Sequence, residues 1–286
     1  MLTAAQMVDE TTTIVSLPET YLRTKQIIDD PDAGITDIAC LLNRDPGLTA
    51  RLLKMANSAY FSLRATVDNT LHAVNILGPR MVHDLVLATS VTRAFSGICS
   101  SVMNMDIFWQ NSIYCATLSK LLAEKRGAVN SERLFIQGLL YDVGHLVMYQ
   151  WVSNACQDAL LKSKSEDIPL HEVELDLIGT HYAEVGGLLL KSWGLPDSIS
   201  EPVTHHATPD CEQHYYHDAV VINIASRIIS SADVNTPLED RQVNQDSNIS
   251  ELLNFTDREC TEVLASADQM ASEMLTAIFP GHREVA

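Results

Sequence analysis

Four side chains able to bind a metal ion occur in the second half of the chain, on segments that read as separate helices. They are Asp142, His181 and the adjacent pair His205 and His206. Imidazole and carboxylate groups are ligands for Zn, Fe and Mn, and helical proteins build such sites by bringing side chains from several helices to one point. The spacing leaves two interpretations open. The residues form a site for one metal ion or small anion, or they satisfy one another by hydrogen bonds in a helical core.

The remaining histidines are of two kinds. His145 closes the segment Tyr141-Asp142-Val143-Gly144-His145 and is, with Glu184, an additional ligand that a complete metal site could recruit. The others stand singly in polar or helical contexts, which is typical of surface or helix-capping positions. They are His72, His83, His171, His214, His217 and His282.

Almost every segment shows the three-to-four-residue apolar spacing of an amphipathic helix, and no alternating strand pattern of useful length occurs. The sequence therefore predicts an all-α fold. Thr36 is the predicted N-cap of an early helix, and Asp45 caps the next helix with Pro46 at its first position. Gly78 ends a further helix, and Pro79 opens the one after it.

Longer helices are predicted beyond residue 103, at 109–124, 131–151, 154–164, 169–178, 181–193, 198–205 and 216–231, with two short helices within 251–278. A polar stretch around Gly97 predicts a domain boundary, and the mostly polar residues 232–249 predict a linker or mobile loop. The predicted division is an N-terminal lead-in (1–15), an N-terminal helical subdomain (16–102), a second helical subdomain (103–231), and a linker with C-terminal helices (232–286).

The composition excludes several classes of function. The 286 residues are 46% hydrophobic and 20% charged, a balance typical of a globular protein. No stretch reaches the roughly 20 apolar residues of a membrane helix. Lys and Arg total 19 against 37 Asp and Glu, and a net charge of −18 repels phosphate backbones, so we predict no nucleic-acid binding. The N-terminus has no basic region followed by an apolar core, which predicts a cytoplasmic location.

One segment resembles a known signature. Residues 138–145, Gly-Leu-Leu-Tyr-Asp-Val-Gly-His, are similar to the Gly-Leu-Leu-His-Asp-Ile-Gly-Lys signature of HD-domain metal-dependent phosphohydrolases, especially the HD-GYP cyclic-di-GMP phosphodiesterases. A longer resemblance, from about Ser16 to His206, is to the HDOD domain, the HD-related output domain of bacterial signalling proteins. Six segments carry this second resemblance in order: Leu17-Pro18, Leu42 to Leu48, Leu52 to Phe61, Ala73 to Gly78, Trp109 to Ser112, and Trp193 to Pro196.

The resemblance implies a ligand set that can be compared position by position. Active HD enzymes use a His in the helix of Trp109, the His-Asp doublet, a later His, an adjacent His pair and a final Asp after an alanine. The chain keeps Asp142, His181, His205 and His206 at matching positions. Amide, phenol and hydroxyl groups, which are poor metal ligands at neutral pH, stand at the others: Asn111, Tyr141 and Ser226. His145 replaces the signature lysine, which removes a positive charge beside the reacting phosphate.

The resemblance therefore implies an N-terminal helical bundle packed on an HD-like helical domain, with a C-terminal helical extension. The implied function is a noncatalytic signalling and regulatory module that binds signalling proteins, with no cofactor beyond at most one divalent ion (Fe, Mn or Zn) at the remnant site. Two alternatives stay open: a metal-dependent phosphohydrolase of the HD superfamily, and a receptor that binds a nucleotide or other small molecule without cleaving it. Hydrolysis by the HD route commonly needs two ions about 3.5–4 Å apart, for which one acid and three imidazoles are a poor ligand set.

Overall fold

The structure is a computed structural model that describes residues 3–14, 19–57, 66–95, 103–127, 131–230 and 255–278. Within these ranges the chain forms helices joined by turns and has no strand, which confirms the predicted all-α fold. Motif residues 17–18 and 58–61 and the predicted linker 232–249 lie outside the described residues. The described helices are α1 (Ala4–Ile14), α2 (Glu19–Asp29), α3 (Ile35–Leu42), α4 (Pro46–Ala56), α5 (Thr70–Ala94), α6 (Met105–Lys125), α7 (Ser131–Leu140), α8 (Val143–Trp151), α9 (Ser153–Glu166), α10 (Leu170–Ile178), α11 (Tyr182–Ser192), α12 (Asp197–His205), α13 (Tyr216–Ser230) and α14 (Asp257–Ile278).

The chain divides into two compact units. The first unit consists of Met1–Val15 and Ile98–Asp268, and the second consists of Ser16–Gly97 and Gln269–Ala286. All residues of the candidate site belong to the first unit. The N-terminal helix α1 also belongs to it, and packs on α8 and α11, where the indole Nε1 of Trp151 donates a hydrogen bond to Thr11 Oγ1 at 2.8 Å.

The second unit is built around α5, on which α2, α3 and α4 pack. Asp45 caps α4 by accepting a hydrogen bond from the Leu48 amide at 2.9 Å, with Pro46 at the first helical position, as predicted. The predicted N-cap of α3 is wrong, because Gly34 holds that position and the Asp37 carboxylate accepts its amide hydrogen bond at 2.8 Å. The backbone of α5 leaves helical geometry at Gly78, whose φ of 77° is readily adopted only by glycine, and this confirms the predicted break before Pro79.

The core of the first unit forms around α6, which buries fourteen residues between α7 and α13. The helix predicted over 131–151 is instead two helices, α7 and α8, which are interrupted at Tyr141 and Asp142. Asp142 has ψ of 6° and is the N-cap of α8, so its carboxylate lies at the start of a helix and not along the side of one. At this interruption the Asp142 carboxylate is bonded to His145, in the first turn of α8.

A buried polar network fixes α7 against α12 and α13. Gln137 is fully buried, and its side-chain amide donates to the Ser198 carbonyl at 2.7 Å and to Asp218 Oδ2 at 2.8 Å. Arg133 Nε donates to the same carboxylate oxygen at 3.0 Å. Charge-assisted hydrogen bonds of this kind hold the helices in one register, which positions the site at their ends.

Candidate functional site

The most densely bonded part of the predicted site is a cluster centred on His145. Its Nδ1 is bonded to Asp142 Oδ1, and its Nε2 lies 2.8 Å from Glu174 Oε1. His145 is 5% exposed and Glu174 is 1% exposed, so the contacts form away from bulk water. Burial opposes a charge on the imidazole, but the carboxylates of Asp142 and Glu174 outweigh burial and raise the pKa of His145 to about 10.

Aromatic rings and a helix end complete the surroundings of this cluster. The imidazole of His145 stacks on Tyr182 at 4.4 Å and on Tyr149 at 5.2 Å between ring centroids. The second oxygen of Glu174 accepts the backbone amide of Tyr182 at 3.0 Å, at the first residue of α11. The partial positive charge of a helix N-terminus attracts the carboxylate group there. The cluster therefore joins α8, α10 and α11.

His206 is bonded on both sides of its ring. Its Nδ1 lies 2.7 Å from the Val203 carbonyl oxygen, and because a carbonyl oxygen only accepts hydrogen bonds, Nδ1 is the donor. In the neutral ring the other nitrogen, Nε2, then carries a lone pair. The Tyr182 hydroxyl lies 3.2 Å from Nε2 and is the donor to it. Burial raises the pKa of Tyr182 well above its ordinary value, which keeps that hydroxyl protonated. Burial also lowers the pKa of His206 to about 4, so its ring is neutral.

His181 and His205 lie apart from these hydrogen bonds. His181 is the N-cap of α11, and its Nδ1 is buried without a hydrogen-bond partner. The ring of His171 lies 6.0 Å from the His181 ring, and burial together with His171 lowers the pKa of His181. His205 is half-buried at the end of α12, and its side chain makes no hydrogen bond or ring contact with any of the described residues.

The three positions where the resemblance expects further ligands are all buried. Asn111 lies in α6 with 6% exposure, and Ser226 Oγ donates to the Asn223 carbonyl at 2.9 Å. The ring of Tyr141 contacts His206 edge-on at 5.7 Å between centroids. These side chains fill the space between helices with groups that are weak metal ligands.

Comparison with known proteins identifies the family. A sequence profile of the HDOD domain matches residues 14–209. The chain belongs to the HDOD domain family. An uncharacterized protein of Treponema pallidum (strain Nichols) is 25% identical over 242 residues, which are 82% of this chain and 46% of that protein. The HDOD chain thus spans less than half the length of this curated relative.

Solved structures share the HDOD fold along nearly the whole chain. An HDOD domain protein of unknown function from Geobacter sulfurreducens is 24% identical, with a TM-score of 0.69 and coverage of 96% of this chain and 97% of that one. A Shewanella amazonensis SB2B protein with the provisional name phosphohydrolase is 23% identical, with a TM-score of 0.74 and coverage of 95% and 97%. At these identities the likeness shows the fold alone. None of the described helices is long and apolar enough to cross a membrane.

The resemblance to HD enzymes implies a metal site, and the side chains of this HDOD chain do not fit one as they are arranged. Asp142 is bonded to His145, and both ring nitrogens of His206 are bonded to protein groups. Glu184, a predicted extra ligand, accepts a hydrogen bond from Thr180 Oγ1 at 2.6 Å. Among the described residues, no three His, Cys, Asp or Glu side chains converge in a way that could hold an ion. The assignment of Asp142, His181, His205 and His206 as a remnant of a metal site stays a prediction.

Two participants were not found by sequence reasoning. Glu174 occupies one buried position of α10, and Tyr182 both stacks on His145 and bonds His206. One feature of the sequence indicates that such partners exist. His145 lies among apolar residues, and a buried imidazole needs polar partners. The identity of those partners depends on which helices pack against α8.

Proposed function

We propose that this HDOD chain is a noncatalytic regulatory module that acts by binding signalling proteins and does not hydrolyse phosphodiesters. One observation carries the proposal: Asp142, the one acid kept from the predicted ligand set, is bonded to His145 inside the protein. Metal-assisted hydrolysis needs an ion with an open position for an activated water, and this carboxylate is engaged elsewhere. The HDOD family membership supports the regulatory part of the proposal.

Solved relatives give the binding role a further, weaker support. A protein of Marinobacter aquaeolei VT8 with the provisional name signal transduction protein shares the fold with 19% identity and a TM-score of 0.67, over 94% of this chain and 60% of that chain. A chain that lacks its own chemistry regulates through differential contacts with a partner, and it needs two surfaces or states for that purpose. The partner in this proposal is a signalling protein.

A hydrolysis assay tests the proposal directly. The purified chain is incubated with bis(p-nitrophenyl) phosphate and with cyclic di-GMP, each in the presence of Mn²⁺, Fe²⁺ or Zn²⁺, beside an active HD-GYP enzyme as positive control. We expect rates equal to those of Asp142→Ala, because neither protein assembles an activated water. Asp158→Ala, which removes an exposed acid of α9, is the matched control. Metal-dependent turnover that Asp142→Ala abolishes and Asp158→Ala retains contradicts the proposal.

A further inference from the structure

A cavity of about 530 Å³ lies in the second unit and is lined by α2, α3 and the turn after α3. Small-molecule pockets have volumes of roughly 300–1,000 Å³. Helix α2 contributes Arg23, Gln26 and Ile27, whose spacing puts them on one face of the helix. Arg44 continues the lining face of α3, because its amide bonds the Leu41 carbonyl at 3.1 Å and so extends the last helical turn.

The lining of this cavity is positively charged, although the chain has a net charge of −18. Arg23 and Arg44 contribute guanidinium groups, and Asp37 contributes a carboxylate. Oδ2 of Asp37 accepts the Gly34 amide at 2.8 Å, and Asp37 forms no ion pair with any described residue. The side chain of Arg44 likewise makes no hydrogen bond or ion pair within the part of the chain that the structure describes. The arginines are therefore not neutralised by the acid that shares the cavity with them.

The connection between α2 and α3 indicates how these charges are arranged. The two helices contact each other and are joined by the short connection 30–34, as in an αα-hairpin, whose helices run antiparallel. On each side of the connection the arginine, Arg23 or Arg44, is the lining residue farthest from it in sequence. Asp37 is the nearest on the α3 side, roughly 10 Å along the helix from Arg44. Both arginines thus belong to one end of the cavity, and the acid belongs to the other.

We propose that this cavity is a binding site for a small-molecule phosphate monoester, the chemistry that nucleotides and sugar phosphates share. Two guanidinium groups match the charge of −1.5 to about −2 that such a phosphate carries at neutral pH, and arginine bonds phosphate oxygens in pairs. Ile27 and Leu41 give the organic part of the ligand an apolar wall. The side chains of Gln26 and Asp37 accept hydrogen bonds from its hydroxyl or amino groups. The ligand gives the module a chemical input besides its protein partner.

Isothermal titration calorimetry of the full chain with AMP, GMP, ribose 5-phosphate and inorganic phosphate tests the proposal. We expect at least one of the three esters to bind with a Kd below about 1 mM, and inorganic phosphate to bind more weakly because it lacks the organic part. Arg44→Gln removes charge-assisted hydrogen bonds and should weaken binding of that ester by at least about tenfold. Arg51→Gln makes the same change of charge on α4 outside the cavity, and as the matched control it should leave the Kd unchanged.

The titrations also distinguish the two sources of the phosphate ester. Binding of AMP or GMP but not of ribose 5-phosphate assigns the site to nucleotides, and binding of ribose 5-phosphate as tight as that of AMP and GMP assigns it to sugar phosphates. The proposal is overturned when no ester binds, or when inorganic phosphate binds as tightly as the esters. It is also overturned when Arg51→Gln weakens binding as much as Arg44→Gln, since the attraction is then a nonspecific effect of positive charge.

Cys40 allows the ligand to be located on the unaltered chain. This exposed cysteine lines the cavity, whereas Cys211 is an exposed cysteine of the first unit. Both are labelled with N-ethylmaleimide and followed by peptide mass spectrometry. A saturating amount of the bound ester should slow labelling of Cys40 and leave labelling of Cys211 unchanged. Labelling of Cys40 at the same rate with and without the ester shows that the ester binds elsewhere, and it overturns the proposal.

This site and the noncatalytic function can fail separately. Titration and labelling measure binding in the second unit, whereas the hydrolysis assay measures turnover that depends on Asp142 in the first unit. Ester binding by a chain that hydrolyses phosphodiesters removes only the proposed function. A chain with neither turnover nor ester binding removes only the phosphate site.

Discussion

His206 is fully buried and neutral, and its protonation is the residue-scale property most open to measurement. Burial is the largest cause that lowers its pKa from 6.5 to about 4, and the nearby rings of His181, His171 and His145 add to it. As pH falls below about 6.5, the His206 side chain takes up a proton in the unfolded chain but not in the folded chain. The free energy of unfolding contributed by His206 is therefore complete above pH 6.5 and is lost as pH falls toward 4.

The prediction compares the wild type with His206→Asn, whose amide can still donate to the Val203 carbonyl. The stability advantage of the wild type over this variant should shrink by roughly 2–3 kcal/mol between pH 7 and pH 4.5, as measured by urea unfolding at each pH. Other groups titrate in both proteins and cancel in the difference. An advantage that stays constant over this pH range would show that the His206 ring is not held neutral by the fold.

The residues of the site show how far sequence reasoning reaches at this scale. Asp142 and His206 were predicted to lie in one site, and both contact the group formed by His145 and Tyr182. His205, adjacent to His206, lacks such a contact because neighbouring helical residues point in different directions. Residue type and order select candidates, whereas a helix's direction decides which of two adjacent histidines meets the site.

At the scale of elements, the site depends on the close approach of α8 and α11. A Cβ at Gly144 would lie 1.9 Å from the Tyr182 carbonyl oxygen and 2.6 Å from the Gly186 amide nitrogen. Both obstacles are backbone atoms, so they cannot move aside without shifting a helix. Only a glycine at this position lets His145 stack on Tyr182, since Tyr182 begins α11.

Gly144→Ala should therefore destabilise the first unit by about 3 kcal/mol or more, at or above the usual range for overpacking. The measurement is urea unfolding followed by tryptophan fluorescence, which reports on this unit because Trp109, Trp151 and Trp193 all lie in it. Gln157→Ala, at an exposed position of α9 in the same unit, is the control. It should change stability by less than about 1 kcal/mol. Equal small effects from both substitutions would contradict the close contact.

The helices themselves were largely predictable, and their exact ends were not. The start of α4 and the break at Gly78 were predictable from the sequence, because proline and glycine impose their own backbone geometry. The same spacing merged α7 with α8, since Tyr141 and Asp142 interrupt the backbone without interrupting the apolar pattern. Thr36 looked like a helix cap, but the Asp37 carboxylate bonds the Gly34 amide and starts α3 earlier.

At the scale of the whole molecule, the negative charge is very unevenly distributed. The first unit carries 27 acidic and 10 basic residues, a net charge of −17, whereas the second carries 10 acidic and 9 basic residues. A unit so acidic repels nucleic acid and attracts divalent cations to its surface in a nonspecific way. Any effect of a metal ion on this protein must therefore be separated from general screening by salt.

Specific metal binding can be separated from salt screening by comparing transition metals with Mg²⁺ at equal ionic strength. A transition metal bound at a site, at roughly 100 times its dissociation constant, would raise Tm by roughly 5–10 °C. Because the side chains of Asp142 and His206 are already hydrogen-bonded to other protein groups, we expect Mn²⁺, Fe²⁺ and Zn²⁺ to shift Tm no more than Mg²⁺ does at equal ionic strength. EDTA added to the protein as purified should leave Tm unchanged for the same reason. A loss of Tm in EDTA that Mn²⁺ restores and Mg²⁺ does not would mean that an ion displaces His145 from Asp142.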